Sequence, residues 1–336
     1  MIIVVTGGTG LVGRHAIAAL RARGDTIRAL ARSEAAATSL AALGAEPVRG
    51  DLSDAERLDR LVAGADAVVH SAAVVLAGGP WSAWREANVL GTERVAQSAA
   101  RHGARLVHIS SVAVYGRSYA DVDRPGHDED FDLAAAPPTR DPYARSKREA
   151  ELAVWHVARR TGLSAVALRP CVLYGEGDRH FSPRIARVLR RGLVPVIGDG
   201  SNRMTVVYAG NVAAAVVAAL AHPAVSGPFN ITNDGELTLR AFVERFAAGL
   251  GISPRWLRIP RRLAWSAARL WDRTAGALPL VSGDLTLSTA VQFLAGENRY
   301  SSARAERLLD WRPPYQAAAA AERTGASFRA APASPP

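Results

Sequence analysis

MIIVVTGGTGLVG, residues 1–13, sets an apolar run, Ile2 to Val5, directly against glycines at 7, 10 and 13. Four consecutive Ile and Val residues favour a strand buried on both faces. The glycines then serve different ends. Gly7 permits a tight turn, Gly10 lets backbone approach a pyrophosphate, and Gly13 lets the next helix pack close to the strand. Leu11 and Val12 open that helix, whose free N–H groups face a phosphate. A strand, a glycine-rich turn and a helix start, in this order, predict a dinucleotide site.

Outward from this stretch, apolar runs alternate with segments of helical spacing. Strands are expected at Ile2 to Val5, Thr26 to Leu30, Glu46 to Val48, Ala67 to His70, Leu106 to Ile109 and Ala165 to Leu168, with helices at Leu11 to Arg23, Ala55 to Val62, Trp84 to Arg101 and Tyr143 to Arg160. The alternation predicts an α/β fold: a Rossmann-type, doubly wound parallel sheet with helices on both faces. Residues 1–175 are expected to form the dinucleotide-binding part, with a later stretch near 195–232 returning to it. Residues 176–325 are read as a smaller substrate-binding region, and 326–336, rich in Ala and Pro, as a frayed tail.

The 336 residues are 49% hydrophobic, ample for one large core. The N-terminus lacks a basic region before its apolar run, so it reads as the start of the fold rather than a targeting signal. Val212 to Ala221 is far shorter than the roughly 20 apolar residues a membrane span needs. A single cysteine, Cys171, excludes an internal disulfide and a Cys-based metal site, and fits a reducing cytoplasm. The eight histidines contain no HExxH or close pair, so no metal is expected; lone ones such as His70 and His108 suit packed or hydrogen-bonded roles. A net charge of +10 is scattered, with arginine pairs near helix ends, which argues against a nucleic-acid partner. Of 41 basic residues only Lys147 is a lysine, so that position needs an ammonium.

After the second strand, where an acid would receive the ribose hydroxyls of NAD, stand Ala31, Arg32 and Ser33. A guanidinium there can bind a 2′-phosphate, so NADP(H) is favoured over NAD(H). Asp51 and Leu52 are candidates for lining the adenine, with Asp51 accepting from its amine. Ala72 and Ala73 are small enough for a backbone path beside the cofactor.

Tyr143 and Lys147 lie four residues apart on one expected helix face. Hydride exchange at a carbinol needs a proton moved at the same oxygen, and an ordinary tyrosine, with a pKa of about 10, is a poor base. A nearby ammonium is expected to lower that value. Ser111, at the carboxyl end of the fifth strand, can polarise the reacting oxygen. A Ser/His/Asp hydrolase is the rival reading, but no Gly-x-Ser-x-Gly elbow surrounds this serine.

TGGTGLVG, ISSVAVYG and YARSK together resemble the extended short-chain dehydrogenase/reductase family, within the NAD-dependent epimerase/dehydratase superfamily, over residues 1–315. The resemblance implies an oxidoreductase with Ser111, Tyr143 and Lys147 as catalytic group. It implies a structural or proton-relay Asn88, and a nicotinamide border from Leu168-Arg169-Pro170 through Val172 to Tyr174-Gly175. Cofactor contacts would also fall on Gly10, Leu11, Val12, Asp51 and Leu52. VYAGNVA at 207–213 and LYGEGD at 173–178 are similar to 3β-hydroxysteroid dehydrogenase-type members. Two departures stand out: the acid after the second strand is missing, and the C-terminal half lacks a strong membrane anchor.

The implied reaction is hydride transfer between nicotinamide and a secondary alcohol or ketone of a bulky apolar substrate. A nucleotide-sugar 4-epimerase or dehydratase, with Arg203 on a pyrophosphate, is the alternative, and a non-catalytic NADP sensor or scaffold the third. The expected partner is a small apolar molecule. Residues 256–273, mixing tryptophan, leucine and arginine, read as a lid, a membrane-facing surface or plain packing, and a homodimer stays open.

Overall fold

The computed structural model describes residues 1–75, 79–116, 128–136, 139, 141–232, 237–274, 287–297 and 300–329. The N-terminal run forms β1 (Ile2–Thr6), followed by α1 (Leu11–Ala22), β2 (Thr26–Ala31), α2 (Glu34–Ala42), β3 (Glu46–Arg49), α3 (Ala55–Val62) and β4 (Ala67–His70). Next come α4 (Trp81–Trp84), a π-helical turn (Arg85–Leu90), α5 (Gly91–Arg101), β5 (Arg105–Ile109), a 3-10 turn (Val112–Tyr115), α6 (Pro142–Thr161) and β6 (Ala165–Pro170). These strands and β10 (Gly227–Ile231) make one seven-stranded sheet, ordered β10-β6-β5-β4-β1-β2-β3, with every neighbouring pair parallel.

Alternation along β1 feeds both faces: Ile3 and Val5 pack with α1 and α2, and Val4 packs with α3, α5 and α6. Each such fully buried side chain contributes about 1.5–3 kcal/mol. The first face is completed by α8 (Ala209–Ala221) and α12 (Ala303–Leu309). Strand order reverses between β1 and β4, so the crevice that receives ligands in such sheets opens at their carboxyl ends.

After β6 the chain leaves the sheet. β7 (Val172–Tyr174) pairs with β9 (Val206–Tyr208), and β8 (Leu193–Ile197) with β11 (Arg255–Ile259). α7 (Ser182–Arg190), α9 (Leu239–Leu250) and α13 (Ala317–Ala326) enclose a separate core around Tyr174, Tyr208, Phe242 and Phe246. α10 (Arg261–Thr274) packs Ala264, Ala268 and Trp265 against Ile197 and Val291, the latter on α11 (Leu287–Ala295). Its neighbour Trp256 lies under the Arg240 guanidinium, 5.2 Å from it. Leu257 and Leu263 instead face outward, 46% and 63% exposed. The stretch 256–273 therefore combines inward packing with an outward apolar and basic face. Of the expected tail, residues 330–336 lie outside the described residues.

Candidate active site

The glycine-rich turn is built as its spacing requires. Gly7 takes φ +71°, open to glycine, and a Cβ on it would run into the backbone of Ser71 and Ala72. A Cβ on Gly13 would collide with the Gly7 carbonyl, so α1 can sit against the turn only without a side chain there. Gly10 is different: a Cβ there would meet only Gly7 O, at 3.2 Å, so its outer side is open. Gly10 caps α1 without a side-chain hydrogen bond, and no acid stands in the first turn, where Leu11 and Val12 begin the helix. Free N–H groups, a positive dipole end and an open glycine fit a pyrophosphate.

The turn after β4 closes against this loop, because Ser71 Oγ donates to Thr6 O at 3.0 Å and Ala72 lies beneath Gly7. Ala72 thus packs against the glycine-rich turn, with Ala73 next to it in the chain. Across β2 and β3, Gly50 N donates to Ala31 O at 3.1 Å, which brings Arg32 and Asp51 together at the sheet's end. Arg32 is exposed, and its charge helps hold the Asp51 carboxyl below the usual range. The larger cause is local: Asp51 Oδ1 accepts from Ser53 N at 2.9 Å and Ser53 Oγ at 2.8 Å. One oxygen of Asp51 is therefore committed to its own turn. Leu52 sits beside Gly91 and joins the apolar cluster under α5, so it faces the helix layer.

α6 begins at the right place for its chemistry. Asp141 accepts from Tyr143 N at 3.1 Å, Pro142 occupies the first turn, and Gly162 ends the helix in the left-handed region. Tyr143 lies close enough to the Ser111 hydroxyl for that hydroxyl to favour its phenolate. Ser111 also accepts from Ala113 N at 3.1 Å, starting the 3-10 turn. Lys147 is buried and donates to Ile109 O at 2.9 Å. The three residues singled out by sequence converge at the carboxyl end of β5. Pro170, at the end of β6, lies one strand away, since Ser110 N donates to Leu168 O at 2.7 Å. Val172 belongs to β7 and packs toward the second core.

Asn88 ties the crevice to α6. Its Oδ1 accepts from Val74 N at 2.7 Å, and its Nδ2 donates to Val74 O and to Ser146 Oγ, each at 2.9 Å. Ser146 in turn donates to Tyr143 O at 2.9 Å. The π-helical turn is what aims Asn88 inward, as such bulges often do at functional sites.

One electrostatic expectation is corrected. Tyr143 is not held below its ordinary pKa: desolvation pushes the phenol up, the nearby Ser111 hydroxyl pulls it down by less, and Asp141 adds to the rise. Burial also pushes Lys147 down to about 8, opposed by Glu151. The phenol is therefore protonated at neutral pH, the state of a proton donor.

The histidines behave unequally. Thr92 gives its one hydroxyl proton to Asn88 O at 2.6 Å, so His70 Nε2, 2.8 Å from Thr92 Oγ1, must be the donor. His70 Nδ1 then accepts from Thr6 Oγ1 at 2.6 Å, and burial drives this neutral ring's pKa down to about 3. His108, stacked on it at 5.4 Å, is fully buried with neither nitrogen hydrogen-bonded. Arg169, read as a border of the nicotinamide, instead turns into the protein and pairs with Glu151. Sequence reasoning did not select Glu151, although it stands one helical turn beyond Lys147 on the same face. Among the described residues no group of three His, Cys, Asp or Glu side chains could hold a metal, and no helix is long and apolar enough to cross a membrane.

Residues 3–233 match the NAD dependent epimerase/dehydratase family. The chain belongs to that family. A 2-alkyl-3-oxoalkanoate reductase of Stenotrophomonas maltophilia (strain K279a) is 34% identical over 293 residues, covering 83% of this chain and 87% of the relative. A 3 beta-hydroxysteroid dehydrogenase/Delta 5-->4-isomerase of Mycobacterium tuberculosis (strain CDC 1551 / Oshkosh) is 28% identical over 339 residues, covering 93% and 86%. The crystal structure of UDP-N-acetylglucosamine 4-epimerase from Bacillus cereus shares the fold, with a TM-score of 0.73 at 23% identity over 98% and 99% of the two chains. This epimerase/dehydratase family member is an NAD(P)-dependent oxidoreductase of the extended short-chain dehydrogenase/reductase type.

Proposed function

We propose that the protein is an NADP(H)-preferring reductase of a ketone on a bulky apolar substrate, of the β-oxo acid or sterol-like class. The observation that carries the reading is the meeting of a protonated, half-buried Tyr143 with Ser111 and Lys147. When bound, the cofactor supplies a hydride to the carbonyl carbon. The Ser111 hydroxyl hydrogen-bonds the carbonyl oxygen and orients it, and Tyr143 gives that oxygen its phenolic proton as charge develops there. The Lys147 ammonium stabilises the phenolate that remains. Asn88 and Ser146 hold the first turn of α6 and keep the phenol in reach. Gly7, Gly10, Gly13 and the α1 N-terminus would hold the pyrophosphate, and Arg32 the 2′-phosphate.

Relatives acting on 3-oxoalkanoates and steroids support an apolar substrate. Exposed Leu257 and Leu263, set among exposed Arg255, Arg258, Arg261 and Arg262, support peripheral contact with an anionic lipid surface. The test follows reduced-nicotinamide absorbance with 2-alkyl-3-oxo acids, sterol ketones and UDP-sugars. Net NADPH consumption with the apolar ketones supports the reading; conversion of a UDP-sugar without net consumption contradicts it. Co-sedimentation with phosphatidylglycerol vesicles, lost in Leu263→Asp, tests the surface, and equal binding by both proteins removes it.

A further inference from the structure

The end of β5 and the inner face of α6 meet at three consecutive residues, the last of the strand and the two that follow it. Ile109 O accepts from Lys147, Ser110 Oγ donates to Glu151 Oε2 at 2.6 Å, and the Ser111 hydroxyl stands beside the Tyr143 phenol, near enough to favour its phenolate. Their helix partners, Tyr143, Lys147 and Glu151, recur every four residues along one face. Two of these joints belong to the reacting group. The middle one, Ser110 with Glu151, has no part in the proton transfer.

Glu151 is wholly buried and fully engaged. It accepts from Trp155 Nε1 at 3.1 Å and from Arg169 through Nε at 3.0 Å and Nη2 at 2.5 Å. Arg169 Nη1 reaches past it to the Tyr115 hydroxyl at 2.7 Å, and Tyr115 donates to Asn230 Oδ1 on β10 at 2.8 Å. Tyr115 ends the 3-10 turn that Ser111 begins. Glu151 therefore grips the chain on both sides of Ser111: directly at Ser110, and through Arg169 at Tyr115. A buried ion pair is weak evidence for stability, because apolar packing of the same volume holds layers together at least as well. Its place here calls for a positional reason.

We propose that Glu151 is a positioning residue, which with Ser110 and Arg169 fixes Ser111 against Tyr143 and sets a buried negative charge one turn from Lys147. The inference rests on Ser111, Tyr143 and Lys147 being the reacting group. The groups facing Lys147 support the electrostatic half. His70 on β4 and His108 on β5 are held neutral by burial, Tyr143 is protonated, and Arg169 on β6 stands behind the carboxylate it pairs with. Glu151 is the charge that favours the ammonium against burial.

Five variants test this: Ser110→Ala, Ser110→Thr, Glu151→Gln, the double Glu151→Gln/Arg169→Met, and Tyr143→Phe. Misplacing a reacting group by about 1 Å costs on the order of 100-fold. Ser110→Ala should lower kcat by roughly 10- to 100-fold with NADPH Kd unchanged, and Ser110→Thr, which keeps the hydroxyl, should recover most of it. Glu151→Gln keeps the shape but removes the charge, so the alkaline fall in reductive kcat should move to lower pH. If Glu151→Gln does not fold, because it strands the Arg169 charge, the double variant reads the same shift without that charge. Active Tyr143→Phe would dismiss the reacting group itself. Inactive Tyr143→Phe together with wild-type kcat in Ser110→Ala, no recovery in Ser110→Thr, or an unmoved alkaline fall would overturn the positioning role alone.

Discussion

Replacing Arg32 by alanine tests how the site chooses between cofactors. Arg32 follows β2 at the carboxyl edge, beside Asp51, and no ion pair engages it among the described residues. A hydrogen bond to a charged group contributes about 1.5–3 kcal/mol. Because Arg32 is exposed, water and salt screen it, so the lower end applies, about 1.5 kcal/mol or roughly tenfold in Kd. A second effect has the same sign. Without Arg32 the Asp51 carboxylate keeps only Arg94 and its Ser53 hydrogen bonds as compensation, so NADPH loses attraction and meets more of that negative charge, whereas NADH, which lacks the 2′-phosphate, does neither. Nicotinamide fluorescence titrations should therefore show the ratio of NADPH to NADH Kd rising at least about tenfold in Arg32→Ala, and less at 0.5 M salt. Equal losses for both cofactors, or a ratio indifferent to salt, would refute the assignment.

Lys147→Arg keeps a cation but not the compact ammonium, and a buried planar guanidinium misfits the bond to Ile109 O. Reductive kcat should fall about 100-fold or more, and the wild-type decline as pH rises through about 8, where Lys147 loses its proton, should vanish from what remains. Wild-type kcat in this variant would contradict the role. Gly13→Ala drives a Cβ into the Gly7 carbonyl, which should cost about 1–3 kcal/mol, lower Tm and weaken NADPH binding. Unchanged Tm and Kd would mean that the turn has room the geometry denies.

The N-terminal half was legible because its signals are local. β-branched runs sit beside glycines, and the sheet they form buries both faces, so strands β1 to β6 fall within a residue or two of their expected bounds. α2 escaped notice because its alanines give little contrast between faces, although Ser33 caps it. The C-terminal half was harder: β7 and β9 have three residues each and gain their partners only across long stretches of chain. Within the site, Tyr143, Lys147 and Ser111 stood out by chemistry and spacing. Glu151 did not, because a charged residue in a sequence reads as surface, and Arg169 was read as a border of the nicotinamide; only the fold reveals that the two bury each other. The pKa of Tyr143 was misread for a related reason. Proximity to an ammonium is visible in a YxxxK spacing, but the burial that outweighs it is not.

The most direct test of the account is Tyr143→Phe, which keeps the ring and its packing and removes the proton. Single-turnover NADPH oxidation with an accepted ketone, measured across pH beside NADPH Kd by fluorescence, should show hydride transfer slowed by about 100-fold or more with Kd within twofold of wild type. Turnover near the wild-type rate, with the wild-type pH dependence, would show that another group moves the proton and that the central assignment is wrong.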